Sequence, residues 1–173
     1  LARLGVPPVA LPPGPHRAPR WPPGIVGSIT HCTGYRAAAV ARAAEVRSLG
    51  IDAEPDKPLP EGVLGMVSLP EERRMLERLT AAAPSAVSWD RLLFSAKESV
   101  YKTWFPLTGR WLGFEEAHVT LLPHAEAGGP GEFRARLLVP GPQVDGVVLD
   151  GFTGRWLARD GLVLTAITVP AGG

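Results

Sequence analysis

Three acidic residues and two lysines have the types and spacing that divalent-metal and phosphate chemistry requires. Asp52 and Glu54 are two residues apart in an apolar segment, so on a strand their side chains point to the same face. Further along, Lys97 precedes Glu98, and Lys102 follows Glu98 at i,i+4 spacing. Magnesium prefers carboxylate oxygens, together with waters and substrate phosphates. Each pattern alone is more typical of solvated charge than of a site, and this holds most for the helix, because a Glu–Lys pair at i,i+4 is common on exposed helices.

Other candidate phosphate-binding residues lie in the first third of the chain. Thr30 and His31 end an apolar segment, where the histidine could donate a hydrogen bond to a phosphate oxygen. The proline-rich loop before it carries His16, Arg17 and Arg20, and arginine side chains match the geometry of phosphate. The ordinary alternatives are a partly buried histidine and a solvated basic loop.

These residues must be positioned by strands and helices that the pattern of apolar residues predicts. Short apolar runs bounded by turns that contain Gly, Pro or Asp predict strands over residues 25–31, 36–42, 49–54, 117–122, 133–139, 153–158 and 162–169. Strands, then helices, then strands predict an α+β domain with mostly antiparallel sheets.

Two helices are predicted between the first and second groups of strands. Ser68 as a cap and Pro70 at the first helical position predict a helix to about Leu79. A second helix is predicted over residues 91–105 from apolar residues at helical spacing, with Pro106 ending it. The aromatic residues near its end are interpreted as core residues: Trp104, Phe105, Trp111 and Phe114.

Composition narrows the class of protein. The chain has 173 residues, 45% of them hydrophobic, a formal net charge of +1 and a single cysteine. This balance favours one globular unit and gives no sign of a nucleic-acid or membrane-surface protein. A lone cysteine excludes an intrachain disulfide framework and, without a visible signal peptide or spanning segment, favours the cytoplasm.

Three sequence blocks, taken in order, resemble the 4'-phosphopantetheinyl transferases that activate surfactin and enterobactin synthetases, and among them the actinobacterial members. They are WPPGIVGSITHC at 21–32, GIDAE at 50–54 and WDRLLFSAKESVYK at 89–102, and the likeness continues through WFPLT at 104–108 and RWLGF at 110–114. A lone Asp-x-Glu would carry little weight, whereas three blocks in the same order and spacing are a specific signal.

The resemblance implies a role for each candidate residue. Asp52, Glu54 and Glu98 would bind magnesium, with manganese as an alternative. Coenzyme A, the co-substrate, would be bound by His16, Arg17, Thr30, His31, Lys97 and Lys102, although the family matches His16 and Arg17 only loosely. Glu98 and Lys102 would be catalytic in transferring phosphopantetheine to a serine of an apo acyl or peptidyl carrier protein, with release of 3',5'-ADP. Either Glu98 or a metal-bound water would remove the serine proton.

The same resemblance implies two pseudo-twofold-related halves, 1–68 and 69–173, within one monomeric unit and with coenzyme A in the cleft between them. The first half is expected to be incomplete, because the chain opens at Leu1 without an initiator methionine. Residues 58–69 are expected to help form a groove for the carrier. A metal-dependent phosphoesterase and a non-catalytic coenzyme- or carrier-binding module are the alternatives.

Overall fold

The computed structural model describes residues 1–14, 16, 18–83, 87–123 and 129–172. The helices are α1 (Val63–Val67), α2 (Pro70–Ala82) and α3 (Trp89–Thr108). The strands are β1 (Ile25–Cys32), β2 (Tyr35–Arg42), β3 (Val46–Pro55), β4 (Ala117–Leu122), β5 (Gly131–Leu137), β6 (Gln143–Val144), β7 (Val147–Val148), β8 (Gly151–Arg159) and β9 (Leu162–Pro170). Single 3-10 turns occur at Ala2–Leu4 and Phe114–Glu116.

The strands form one main sheet and two hairpins. The main sheet has five strands in the order β3-β9-β8-β5-β4, β1 pairs with β2, and β6 pairs with β7. Every strand pair in the described parts of the chain is antiparallel. The predicted α+β class with mostly antiparallel sheets is therefore confirmed.

Helix α3 lies across one face of the main sheet and forms the centre of the core. Its apolar residues recur at helical spacing, so they form one stripe that is almost completely buried: Leu92, Leu93, Ala96, Val100 and Trp104. They pack with residues that alternate along the strands, among them Val119, Phe133, Val163 and Ile167. This packing fixes α3 against β3, the strand that carries Asp52 and Glu54.

The predicted helices are confirmed, but three of their boundary assignments are wrong. Helix α3 passes through Pro106 and ends at Thr108, and the following Gly109 adopts a left-handed conformation with φ 65°. Proline is tolerated there because only one backbone hydrogen bond of the last turn is lost. Helix α2 extends beyond Leu79 to Ala82, and its N-cap is Leu69 rather than Ser68, because the Glu72 side chain accepts the Leu69 N–H.

Two short elements were not predicted. Helix α1 has five residues, and the β6–β7 hairpin has two residues in each strand, so neither is long enough to produce a periodic pattern. None of the helices in the described part of the chain is long and apolar enough to cross a membrane.

The main sheet draws strands from both predicted halves of the chain. β3 belongs to residues 1–68, and its partner β9 belongs to residues 69–173. The two segments thus share one sheet and one core, while the pseudo-twofold division between them stays a prediction.

Candidate active site

Strand β3 presents alternate residues to α3. Ser48 donates a hydrogen bond to the carbonyl of Thr103 at 2.8 Å, and two and four residues later Gly50 and Asp52 face the same helix. A Cβ at Gly50 would collide with the Ser99 carbonyl and the Thr103 side chain. Glycine is therefore what allows the helix and the strand to approach so closely.

Strand β1 reaches the free edge of β3 through side-chain hydroxyls instead of a backbone ladder. The backbone N–H of Ile51 donates to Ser28 Oγ at 3.1 Å, and the N–H of Ala53 donates to Thr30 Oγ1 at 3.0 Å. Thr30 in turn donates to Asp52 Oδ1 at 3.2 Å. Thr30 is buried, so in these contacts its hydroxyl orients Asp52, and its predicted role in coenzyme binding stays a prediction.

Asp52 is the centre of a buried charged cluster. Its Oδ1 accepts a hydrogen bond from Lys102 Nζ at 2.6 Å, whereas its Oδ2 is buried and has no hydrogen-bond partner among the described residues. Burial, and then the charge of Asp52, raises the pKa of Glu98, with Lys102 acting in the opposite direction. Glu98 is half-buried and lies one helical turn before Lys102, on the same side of α3. An unpartnered buried carboxylate oxygen beside a second carboxylate fits a cation.

Glu54 lies on the same side of β3 but has its own partner. Its carboxylate accepts a hydrogen bond from Arg91 at 2.9 Å, and Arg91 also donates to the carbonyls of Lys57 and Pro58. Burial, and then Asp52, raises the pKa of Glu54, while Arg91 lowers it. In the described ranges no group of three or more His, Cys, Asp or Glu side chains is arranged to hold a metal ion. The magnesium site of Asp52, Glu54 and Glu98 therefore stays a prediction.

Lys97 points away from Asp52. Its ammonium group forms an ion pair with Glu72 at 2.8 Å and donates to the carbonyls of Phe114 at 2.6 Å and Ala117 at 3.0 Å. These contacts use all three donors of the group. Burial lowers the pKa of Lys97, partly offset by Glu72. The contacts favour a structural role, and they do not support the prediction that Lys97 binds coenzyme A.

A cavity of about 720 Å³ lies beside the charged cluster. Four of the predicted site residues line it: His16, His31, Glu98 and Lys102. Both histidines are exposed, and His16 packs edge-on against Phe105 with ring centroids 5.3 Å apart. The volume of the cavity is that of a typical small-molecule site. Arg17, predicted to bind coenzyme A, lies outside the described residues.

Sequence comparisons identify the family. A model described as the 4'-phosphopantetheinyl transferase N-terminal domain matches residues 1–41, and one described as the 4'-phosphopantetheinyl transferase superfamily matches residues 48–128. The chain is 63% identical over 174 residues to 4'-phosphopantetheinyl transferase Svp of Streptomyces mobaraensis, which covers 99% of this chain and 68% of the relative. It is 57% identical over 170 residues to the transferase Npt of Nocardia iowensis, covering 96% of this chain and 75% of the relative. The chain belongs to the 4'-phosphopantetheinyl transferases.

A more distant relative of this transferase is enterobactin synthase component D of Salmonella typhi, 33% identical over 111 residues, which are 63% of this chain and 44% of the relative. The predicted resemblance to this family, including its actinobacterial members, and the enzyme class are thus confirmed. The shorter match to the enterobactin component agrees with a likeness concentrated in separate blocks.

Several residues of the transferase site could not be found from sequence patterns. Arg91 and Glu72 are ordinary helix-surface residues by spacing, and only the fold shows that each binds a charged partner. Tyr101 was also missed, although its buried hydroxyl lacks a hydrogen-bond partner among the described residues and lies at the cavity. Trp111, interpreted as a core residue, is 65% exposed, so that interpretation is wrong.

Proposed function

We propose that the chain transfers the 4'-phosphopantetheine group of coenzyme A to a serine of an apo carrier protein, releasing 3',5'-ADP, in a magnesium-dependent reaction. The observation that carries the proposal is the cluster of Asp52, Glu98 and Lys102 beside a cavity large enough for a coenzyme. Family membership supplies the reaction class, and the cluster supplies groups that this chemistry needs.

Each residue of the cluster and the cavity wall has a separate role in the proposed reaction. Glu98, or a water bound by the metal, accepts the proton of the serine hydroxyl as its oxygen attacks the β-phosphorus of coenzyme A. The bond from that phosphorus to the bridging oxygen breaks, and Lys102 stabilises or protonates the departing phosphate of 3',5'-ADP. His31 and His16, on the cavity wall, donate to phosphate oxygens.

Asp52 and Glu98, with Glu54 as the predicted third ligand, would hold a magnesium ion, which would supply positive charge against the negative charge of the diphosphate. Thr30 and Lys102 hold the Asp52 carboxylate in one orientation, so the site is already organised before the substrates bind.

Residues 58–69 contribute to the carrier-binding groove. This segment includes α1, in which the Met66 side chain is 74% exposed. Flexible methionine side chains suit a surface that accepts several partners. We expect Met66→Glu to raise the KM for an acidic carrier protein without changing the KM for coenzyme A, since like charges repel at an interface. An unchanged KM for the carrier protein would show that Met66 does not contact the carrier and would contradict a groove at residues 58–69.

The transfer is tested by intact-mass measurement of an apo carrier protein after incubation with enzyme, coenzyme A and magnesium. A gain of about 340 Da on a serine is expected. Chelation with EDTA should abolish the gain, and added magnesium or manganese should restore it. Glu98→Gln should lower the rate by about 10²–10⁴-fold, whereas Glu77→Gln, an exposed glutamate on α2, should not.

Two results would overturn the proposal. Release of product from coenzyme A without any carrier protein would indicate a metal-dependent phosphoesterase. Unchanged function in both Glu98→Gln and Lys102→Ala would indicate a non-catalytic coenzyme- or carrier-binding module.

A further inference from the structure

Glu72 is a completely buried carboxylate outside the proposed reaction site. It lies in the first turn of α2 and has an exposed fraction of 0%. Its Oε2 accepts from the backbone N–H of Leu69 at 2.7 Å, and its Oε1 accepts from the N–H of Val119 at 2.7 Å. The third partner is the Lys97 ammonium group at 2.8 Å. One side chain therefore joins the start of α2, the strand β4 and the middle of α3.

Lys97 completes this connection from α3. Its ammonium group also donates to carbonyls on either side of the Phe114–Glu116 turn, those of Phe114 and Ala117. All three donors are satisfied, and the side chain is 2% exposed. The side of α3 that carries Lys97 is thus attached by directional hydrogen bonds, in addition to apolar packing.

Because Lys97 and Glu98 are neighbours on one helix, the contacts of Lys97 also set the orientation of Glu98. Successive residues of an α-helix are about 100° apart around the axis. With Lys97 fixed toward α2 and β4, Glu98 shares a side of α3 with Lys102, which contacts Asp52 and lines the same cavity as Glu98. A rotation of α3 about its axis would move both side chains together, so holding one of them holds the other.

Stability alone is a weak reason for such a pair. Replacing a buried ion pair by apolar residues of similar volume is often neutral or stabilising, because the charges must be desolvated. Apolar packing, however, gives less angular control than a carboxylate with three directional donors. The contacts of Glu72 therefore match a requirement for orientation better than a requirement for stability.

We propose that Glu72 is a positioning residue of the transferase: through Lys97 it fixes the rotation of α3, and hence the direction in which Glu98 faces Asp52. The consequence for activity rests on the proposed function, in which Glu98 is a metal ligand and base. The consequence for the helix itself does not, so the two can be tested separately.

The test compares Glu72→Gln and the shorter, still charged Glu72→Asp with two controls. Glu71→Gln is the adjacent position on the exposed side of α2, and Leu137→Ala is a core truncation on β5. The magnesium concentration for half-maximal transfer is measured at a temperature where each variant is folded. Hydrogen–deuterium exchange of residues 95–101 is measured without metal or substrates. If Glu72→Gln does not fold, the comparison is made with Glu72→Asp alone.

We expect the half-saturating magnesium concentration to rise about tenfold in the Glu72 variants, with exchange accelerated more over residues 95–101 than over β5 and β8. A merely destabilised enzyme loses active molecules but keeps its magnesium dependence, so Leu137→Ala should leave half-saturation unchanged. The same magnesium dependence and exchange in Glu72 variants as in Glu71→Gln would overturn the proposal. If exchange changes as expected while even the unsubstituted enzyme transfers nothing to a carrier, the proposed function fails and the positioning role stands.

Discussion

The close approach of β3 and α3 at Gly50 can be tested by adding one methyl group. A Cβ at residue 50 would be far inside the contact distance of the Ser99 carbonyl and would lie 2.9 Å from the Thr103 amide nitrogen. Carbon and carbonyl oxygen normally approach no closer than about 3.3 Å. The obstructing atoms belong to the helix backbone, which cannot rotate away as a flexible side chain could. Gly50→Ala must therefore move the helix from the strand by about 1 Å.

Two effects of this movement can be given magnitudes. Overpacking of a core costs about 1–3 kcal/mol, offset by about 0.4–1 kcal/mol from the reduced freedom of the unfolded chain. The net loss of about 1–2 kcal/mol should lower the midpoint of thermal unfolding by about 2–8 °C for a chain of this size. Asp52 is two residues from Gly50, so its distance from Glu98 changes as well. A misplacement of about 1 Å can lower the rate by about 10²-fold.

The assay pairs urea unfolding with the rate of phosphopantetheine transfer to an apo carrier protein. Gly65→Ala is the matched control, because a Cβ there meets nothing within 4 Å and the residue lies inside α1. This control should gain about 0.5–1 kcal/mol in the free energy of unfolding, since alanine is the better helix former. Equal stability and activity of Gly50→Ala and the unsubstituted protein would refute the reasoning that contact at residue 50 sets the geometry of the site.

Three further predictions concern other contacts. Thr30→Val should lower the free energy of unfolding in urea by about 1–3 kcal/mol, because the buried N–H of Ala53 loses its acceptor. Thr30→Ser keeps a hydroxyl and should retain most of the stability. Equal losses in both variants would contradict a role for the hydroxyl. Arg91→Gln should lower the free energy of unfolding by about 1–3 kcal/mol and increase protease cleavage in the loop after β3, whose carbonyls Arg91 binds. The hydrogen bond from Arg47 lowers the pKa of Asp145 below its ordinary 3.8, so its contribution to stability is complete above pH 3.8 and is lost as the pH falls through the lowered pKa. The difference in melting temperature between Asp145→Asn and the unsubstituted protein should therefore be constant at neutral pH and vanish in strong acid.

Periodicity predicted the long elements well because their burial is one-sided. Along α3 the apolar stripe has helical spacing, and along β5 burial alternates strictly, so each pattern has one structural solution. The predicted end of α3 was wrong, because Pro106 interrupts only the last turn. The helix ends before Gly109, which has a left-handed conformation. That stop depends on backbone conformation, which composition around a proline does not determine.

The candidate site was predicted less completely, because its partners come from distant segments. The strand spacing of Asp52 and Glu54 predicted one common face, which a period of two can determine. Only the contacts with Arg91 and Lys102 show that this face is turned toward α3. No local pattern could separate Lys97 from Lys102. They are five residues apart, hence about 140° around the helix, and only the fold reveals that one binds Glu72 and the other Asp52. The sequence blocks shared with the family carried the functional prediction that spacing alone left open.

The distribution of charge around β3 supports the proposed binding of a further cation. Asp52, Glu54 and Glu98 supply three formal negative charges, and two cations contact them, Lys102 at Asp52 and Arg91 at Glu54. Glu98 receives no ion pair among the described residues, and the pKa of Glu98 is raised accordingly by burial and by Asp52. Bringing a diphosphate into the adjoining cavity would add like charge to this excess. A divalent ion at the unpartnered Asp52 Oδ2 would reverse the balance, because it attracts both the carboxylates and the diphosphate. Metal and coenzyme should therefore bind cooperatively, each strengthening the binding of the other.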